Sequence, residues 1–140
     1  MQGKDYESRL AEWSSFRDTL ESSTNPFQDL IHFYMHVPLV SIHTDPWNQK
    51  IWPDPWELIL ENQYCSFCKI LGYYYTLALT ERFLDSQFEI HISIDHEQSE
   101  TYYMLKVDDT VLGYKNTLLL YDNWPSSLVS QKSYTMTGLQ

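Results

Sequence analysis

The residues with the clearest chemical potential are two cysteines, Cys65 and Cys68, within the stretch WPDPWELILENQYCSFCKILGYYYTLALTERF. They lie where a polar, proline-containing entry gives way to a long apolar run. A cysteine at the start of a helix meets unpaired backbone N–H groups and the positive end of the helix dipole, which favour the thiolate and lower the pKa of the thiol. Cys65 is therefore a candidate nucleophile. The alternative is a small buried hydrophobic residue among aromatic neighbours.

The spacing C-x-x-C also occurs in zinc sites and in redox dithiols. Zinc would need a second pair of ligands, and His91 and His96 do not have a matching spacing. A redox pair normally follows a strand directly, and no strand pattern precedes Cys65. Two cysteines at positions i and i+3 are also simply neighbours on one helix face. We therefore predict no bound metal and no cofactor.

His91 is the candidate general base. It lies on the polar side of an alternating stretch, Phe88 to Asp95, and would serve Cys65 only if that strand packs beside the start of the helix. The alternative is an exposed or hydrogen-bonded surface histidine.

Four helices are predicted in the first half of the chain. Apolar residues spaced three and four apart from residue 5 to 21 indicate an amphipathic helix, and Asn25 before Pro26 can begin a second. Asp54, followed by proline and by Glu57, has the pattern of a capping box and predicts a short third helix. From residue 64 or 65 to about 83 the chain is apolar on nearly all sides, which predicts a central, buried helix.

Strands are predicted in the second half. Phe88, Ile90, Ile92 and Ile94 alternate with polar residues, which indicates a strand with one solvent-facing side. The stretches TYYMLKV, TVLGY and TLLLYD continue an antiparallel meander, and a late strand can form around Tyr134. Helices followed by antiparallel strands predict a single α+β domain in which the central helix packs on the sheet. Within it we distinguish a helical N-terminal segment (1–36), a core (37–124) and a tail (125–140).

Composition restricts the function further. The 140 residues include nine Lys and Arg against nineteen Asp and Glu, a formal charge of −10, without a basic cluster. This argues against nucleic acid and anionic membranes as partners. No run of about eighteen apolar residues occurs, so we expect a soluble protein. Tryptophans predicted in loops are candidate anchors for a protein partner, namely Trp47, Trp52, Trp56 and Trp124.

The stretch around Cys65 resembles bacterial transglutaminase-like cysteine peptidases, in which a Trp-x-x-Pro-x-Glu segment leads into Gly-Asp-Cys at the start of the central helix. That superfamily has a papain-like core with a nucleophilic Cys, a His on a strand and an Asp on the next strand. The resemblance, over about residues 37–124, implies Cys65 as the nucleophile. It places Tyr103 at the position of the His and Asp122 at the position of the Asp.

The departures from the family pattern bear on activity. Gln63 and Tyr64 replace the Gly-Asp pair, and Tyr103 replaces the histidine. A phenol with a pKa of about 10 cannot exchange protons with a thiol and a leaving group at neutral pH as imidazole does. We therefore expect a retained fold with a broken triad, acting through protein contacts. The alternative is a divergent cysteine hydrolase or acyl transferase that uses Cys65, Asp122 and an unconventional base, His91 or Tyr103.

The stretches NPFQDLIHFYMHVPLVSIHTDPW and WPDPWELI are also similar to small acidic proteins of T4-like phages of marine cyanobacteria. This resemblance implies a partner from the phage or its host, or self-association, and a location in the host cytoplasm or the virion as a structural component.

Overall fold

Four α-helices precede five strands in the computed structural model, which describes residues 3–137. The helices are α1 (Tyr6–Leu20), α2 (Pro26–Tyr34), α3 (Pro55–Glu61) and α4 (Ser66–Ala78). The strands are β1 (Phe88–Asp95), β2 (Glu100–Val107), β3 (Thr110–Tyr114), β4 (Thr117–Leu120) and β5 (Leu128–Met136). The predicted α+β class is confirmed. Within the described residues no helix is both long and apolar enough to cross a bilayer.

Local signals set the helix starts. The Asp5 carboxylate accepts the backbone N–H of Ser8 at 2.7 Å at the start of α1. The predicted capping box of α3 is confirmed: Asp54 accepts the N–H of Glu57 at 2.8 Å, and Glu57 accepts the N–H of Asp54 at 3.2 Å. Helix α3 ends at Asn62, whose φ of +50° is left-handed.

Helix α4 is buried as predicted, although it ends at Ala78 rather than near residue 83. Hydrogen bonds around one buried hydroxyl tie α4 to α1 and α2. The Thr76 Oγ1 lies 2.9 Å from the indole Nε1 of Trp13, which donates to it, and 3.0 Å from the Tyr34 hydroxyl. Tyr34 also donates to the Gly72 carbonyl at 3.3 Å. A Cβ on Gly72 would lie 2.8 Å from the Tyr34 ring, so glycine allows this close approach.

The sheet has the strand order β4-β3-β2-β1-β5, and all neighbours are antiparallel. The predicted meander covers β1 to β4. The tail contributes more than the short strand expected around Tyr134, because β5 has nine residues and pairs along the whole of β1. Strand β4 ends at Leu120, and a 3₁₀ turn, Tyr121–Asn123, follows it. Asp122 is therefore not on a strand, contrary to the expectation.

The prediction that β1 has a solvent-facing side is wrong. His91, Ser93 and Asp95, on that side, are all buried. A second apolar cluster covers this face of the sheet, formed by Met104, Val111 and Leu128 with Trp124 packed against it. Both faces of β1 are therefore enclosed, one by α4 and the other by this cluster.

Candidate functional site

Cys65 is the N-cap residue of α4. Its backbone is extended, with φ −80° and ψ 170°, and its Sγ accepts the backbone N–H of Cys68 at 3.4 Å. The chain enters this position through a short parallel bridge between Leu39 and Tyr64. The Tyr64 N–H donates to the Pro38 carbonyl at 3.0 Å, which fixes the direction of entry. The helix start thus places the sulfur where the sequence predicted it.

A loop formed by His43, Thr44, Asp45 and Pro46, the thiol loop, covers the sulfur. The backbone N–H groups of His43 and Thr44 lower the pKa of the Cys65 thiol, and the Thr44 hydroxyl lies 3.3 Å from the Cys68 sulfur. The loop is held in place on its outer side: the Trp52 indole donates to the Asp45 carbonyl at 3.2 Å, and the Tyr134 hydroxyl donates to the Pro46 carbonyl at 3.1 Å. As a result, 0% of Cys65 is exposed.

The pKa values of the two cysteines are shifted in opposite directions. The Cys68 thiol, followed by the backbone N–H groups of Cys68, His43 and Thr44, lowers the pKa of Cys65 from 9.0 to about 5, although burial opposes this shift. The Cys65 sulfur and burial raise the pKa of Cys68. The Thr44 hydroxyl lies 3.3 Å from the Cys68 sulfur. Of the two thiols, Cys65 is therefore the one that ionises more easily, and the groups that lower its pKa do not include an imidazole.

This arrangement predicts a pH-dependent contribution to stability. The pKa of Cys65 is lower in the folded state, so the folded chain binds fewer protons than the unfolded chain between pH 5 and pH 9. Stability from the thiolate is therefore present at high pH and is lost as the pH falls toward 5. Serine keeps an N-cap oxygen but does not ionise, so we expect Cys65→Ser to be more destabilising at pH 8 than at pH 5. Urea unfolding of both proteins at the two pH values measures this, and an equal difference at both would show that the thiol is neutral.

Tyr103, at the position expected for the catalytic histidine, does lie near the thiol. It is on the face of β2 that packs against α4, and its ring meets Phe67 edge to face at 5.4 Å. Burial, followed by the charges of Cys65 and Asp45, raises the pKa of Tyr103. The phenol is therefore neutral at physiological pH and a poor proton donor or acceptor.

His91 and Asp122 are not brought to this site. The His91 ring lies on the opposite face of the sheet, where it hydrogen-bonds Ser130 Oγ at 2.9 Å and Glu89 Oε1 at 3.0 Å and packs against Trp124. Asp122 is exposed in the turn after β4, at the far edge of the sheet. Of the four predicted catalytic residues, the structure brings together Cys65 and Tyr103 alone.

The four predicted tryptophan anchors do not form one surface either. Trp47 is 57% exposed on the loop before α3, and Trp56 is 48% exposed with its ring edge against Trp13. Trp52 packs between Phe67 and Tyr134 and donates to the thiol loop. Trp124 lies on the opposite face of the sheet beside His91.

A cleft of about 280 Å³ opens beside the start of α4. It lies between the first two turns of α4 and the end of the sheet formed by β2, β3 and the turn to β4, and we call it the α4–β3 cleft. Polar residues line it on α4, on β2 and in the turn between β3 and β4, namely Ser66, Lys69, Thr101, Lys115 and Asn116. Sequence analysis identified none of these residues and none of the thiol loop. No local pattern shows that Thr44 lies beside a cysteine 24 positions later.

The described residues thus combine a cysteine at the start of a buried central helix with an antiparallel sheet on which that helix packs. Among solved structures, Legionella pneumophila LapG in its calcium-bound form has this fold and matches with a TM-score of 0.70 and 16% sequence identity, over 96% of this chain and 77% of that chain. At this identity the similarity establishes the fold alone.

No protein-family model matches the chain, and no curated protein matches it in sequence. The comparisons give no support to the phage resemblance. Although the LapG structure is calcium-bound, residues 3–137 of this chain contain no group of three or more His, Cys, Asp or Glu side chains placed to hold a metal ion.

Proposed function

We propose that this chain is a non-catalytic domain with a LapG-like fold that acts through contacts with a protein partner. The observation that carries the proposal is the closed thiol. The Cys65 side chain is 0% exposed, and its sulfur accepts the backbone N–H of Cys68 at 3.4 Å. The His43 ring is exposed and lies 3.4 Å from the Ser41 carbonyl instead.

Catalysis by a thiolate needs two further features. The sulfur must reach a substrate carbonyl, and a neighbouring acid must protonate the leaving group. Here the thiol loop occupies the space over the sulfur. The neighbouring proton carriers, Cys68 and Tyr103, both have raised pKa values, so neither releases a proton readily at neutral pH.

Exposed apolar residues next to the thiol loop support a contact function. Leu39, Ile42, Trp47 and Ile51 are each 56–63% exposed, on a segment that is fixed by the Leu39–Tyr64 bridge and by the hydrogen bonds of the thiol loop. Large apolar side chains on an ordered segment are typical of protein interfaces.

Two experiments address the identity of the partner. Sedimentation velocity over a range of concentrations shows whether this chain associates with itself or needs a different protein. Assembly into a phage particle rests on the sequence resemblance alone, and proteomics of purified particles would test it.

Thiol labelling tests the closed site. We expect native Cys65 to react with iodoacetamide at pH 7.5 at least about 100-fold more slowly than in the unfolded chain, because local opening must precede reaction. Ser126→Cys, at an exposed position after β4, supplies an internal control that should react at the full rate. Rapid alkylation of Cys65 in the folded protein would overturn the proposal.

A second function is favoured by one observation, the lowered pKa of Cys65. A divergent cysteine hydrolase or acyl transferase would use this thiolate after the thiol loop moves aside. It predicts a burst of p-nitrophenol from p-nitrophenyl acetate that disappears in Cys65→Ser. Absence of the burst at protein concentrations comparable with that of the substrate would contradict this second function.

A further inference from the structure

The two cysteines lie where an extended segment passes into a helix. Tyr64 pairs with Leu39 in a parallel bridge, and Cys65 is itself extended before α4 begins at Ser66. A redox dithiol normally follows such an extended segment, which the sequence pattern before Cys65 did not show. Cys65 is the N-cap of α4 and Cys68 is its third residue, so both belong to the first turn of the helix.

The two sulfurs are close neighbours. The Cys65 Sγ accepts the backbone N–H of Cys68 at 3.4 Å, so it lies against the residue that carries the second thiol. Each thiol is also the largest influence on the pKa of the other. Helix geometry separates Cα atoms three residues apart by about 5 Å, inside the range of about 4.4–6.8 Å that a disulfide spans. Both cysteines are free, and since the chain has two, each is the other's partner for any disulfide within it.

The two thiols differ in the way that stepwise oxidation requires. Cys65 ionises more easily, and the thiolate is the form that attacks an oxidant. The Cys65 sulfur, followed by burial, raises the pKa of Cys68, so the second thiol keeps its proton at first. Once Cys65 has been oxidised it carries no negative charge, and the main cause of the raised pKa of Cys68 disappears. The second thiol is therefore activated by the reaction of the first.

The oxidant must be small, because 0% of Cys65 and of Cys68 is exposed. Hydrogen peroxide is little larger than water, so a slight local opening admits it where iodoacetamide needs a wider one. The reaction between the two cysteines needs no access from solvent, since both groups already lie on one helical turn.

We infer that Cys65 and Cys68 are a redox couple that hydrogen peroxide converts to an intramolecular disulfide. The Cys65 thiolate attacks one peroxide oxygen and the O–O bond breaks, which leaves a sulfenic acid and a hydroxide that takes up the proton released by Cys65. The Cys68 sulfur then attacks the Cys65 sulfur, an S–S bond replaces the S–O bond, and water leaves with the Cys68 proton. Two thiols lose two electrons and two protons, and the peroxide becomes two water molecules. A dithiol reductant reverses the change by thiol–disulfide exchange.

Oxidation also changes the inner contacts of the thiol loop. The Cys68 thiol donates to Thr44 Oγ1 at 3.3 Å, and a disulfide has no S–H with which to donate. The backbone N–H groups of His43 and Thr44 act on a Cys65 sulfur that can no longer ionise. The disulfide therefore loosens the loop, which is continuous with the exposed residues Ile42 and Trp47. Its effect on a partner rests on the proposed contact function, whereas the disulfide itself does not.

Peptide mass spectrometry tests the inference directly. The folded, reduced protein is treated with about 1 mM hydrogen peroxide, unfolded, alkylated with N-ethylmaleimide and digested with trypsin. Residues 51–69 form one tryptic peptide, which contains both cysteines and no methionine. We expect this peptide to be unalkylated and about 2 Da lighter than the dithiol form, and dithiothreitol should restore two reactive thiols. Oxygen addition without loss of the two hydrogens, or a disulfide between two chains, would overturn the inference.

Matched variants test the order of the two steps. Cys68→Ala cannot form the disulfide, so its Cys65 should instead gain oxygen, about 16 or 32 Da. Cys65→Ala retains Cys68, which burial keeps protonated, and it should be oxidised at least about 5-fold more slowly. Circular dichroism verifies that each variant is folded. Faster oxidation of Cys65→Ala than of Cys68→Ala would contradict Cys65 as the attacking thiol.

Hydrogen exchange tests the consequence for the thiol loop. We expect amides in residues 40–48 to exchange at least about 10-fold faster in the oxidised protein than in the reduced one. Unchanged exchange would contradict the loosening of the loop.

The possible failures can be told apart. If peroxide yields no disulfide while Cys65 stays unreactive toward iodoacetamide, the redox couple fails and the non-catalytic function stands. If Cys65 reacts rapidly with iodoacetamide and the disulfide still forms, the proposed function fails and the redox couple stands.

Discussion

Replacing Trp13 with alanine is expected to lower the free energy of unfolding by about 3–5 kcal/mol. The side chain is 1% exposed, and its indole nitrogen donates to Thr76 on α4 at 2.9 Å. Its ring also contacts Trp56 on α3, with the ring centres 5.6 Å apart. Alanine leaves a cavity at the junction of α1, α3 and α4 and removes one hydrogen-bond partner of a buried hydroxyl. Urea unfolding followed by far-UV circular dichroism measures the loss without depending on tryptophan fluorescence.

Trp47→Ala is the matched control for this prediction. The same atoms are removed from a side chain that is 57% exposed, so we expect a change within about 0.5 kcal/mol. Similar losses for the two variants would contradict the placement of Trp13 at the centre of the helical layer.

Gly113→Ala is expected to destabilise the fold by about 2–4 kcal/mol, from backbone strain and overpacking together. The φ of Gly113 is +107°, a conformation that residues with a Cβ rarely adopt. A Cβ there would lie 2.6 Å from Ile70 Cδ1 and 2.8 Å from the Tyr103 carbonyl oxygen. The carbonyl belongs to the sheet and cannot move away easily. Thermal and urea unfolding should both register the change.

The reverse substitution at another left-handed position is the control for Gly113. Ser99 has a φ of +55° in the turn between β1 and β2, so Ser99→Gly relieves strain while it adds freedom to the unfolded chain. We expect its effect to lie within about 1 kcal/mol of zero. A Gly113→Ala protein as stable as wild type would show that the bend in β3 does not require glycine.

Periodicity made most of the fold predictable. The helices and the first four strands have clear patterns, and the capping box at Asp54 set the start of α3. Strand β5 was underestimated because its sequence, LVSQKSYTM, is mostly polar, and pairing with β1 rather than burial of side chains determines it. The orientation of His91 was predicted from alternation, but its burial depends on Trp124 and Leu128, which fold back from more than thirty residues away.

The candidate site was less predictable, for a related reason. The position of Cys65 follows from a local signal, the start of an apolar helix. Its surroundings do not, since the thiol loop reaches it from a segment about 20 residues earlier, and Lys69 meets Asn116 across α4 and a hairpin turn. The resemblance to the peptidases predicted the α+β fold, which is confirmed, but it placed Asp122 on a strand that ends two residues before it.

The thiol loop affects two properties of Cys65 at once: it shields the sulfur from solvent, and it lowers the pKa of the thiol. The backbone donors of His43 and Thr44 that help keep Cys65 ionised belong to the segment that shields it from solvent. Any fluctuation that admits a reagent therefore also withdraws part of the stabilisation of the anion, and the newly uncovered sulfur regains a proton more easily. Reactivity is suppressed twice, by steric exclusion in the resting state and by weakened ionisation in the open one.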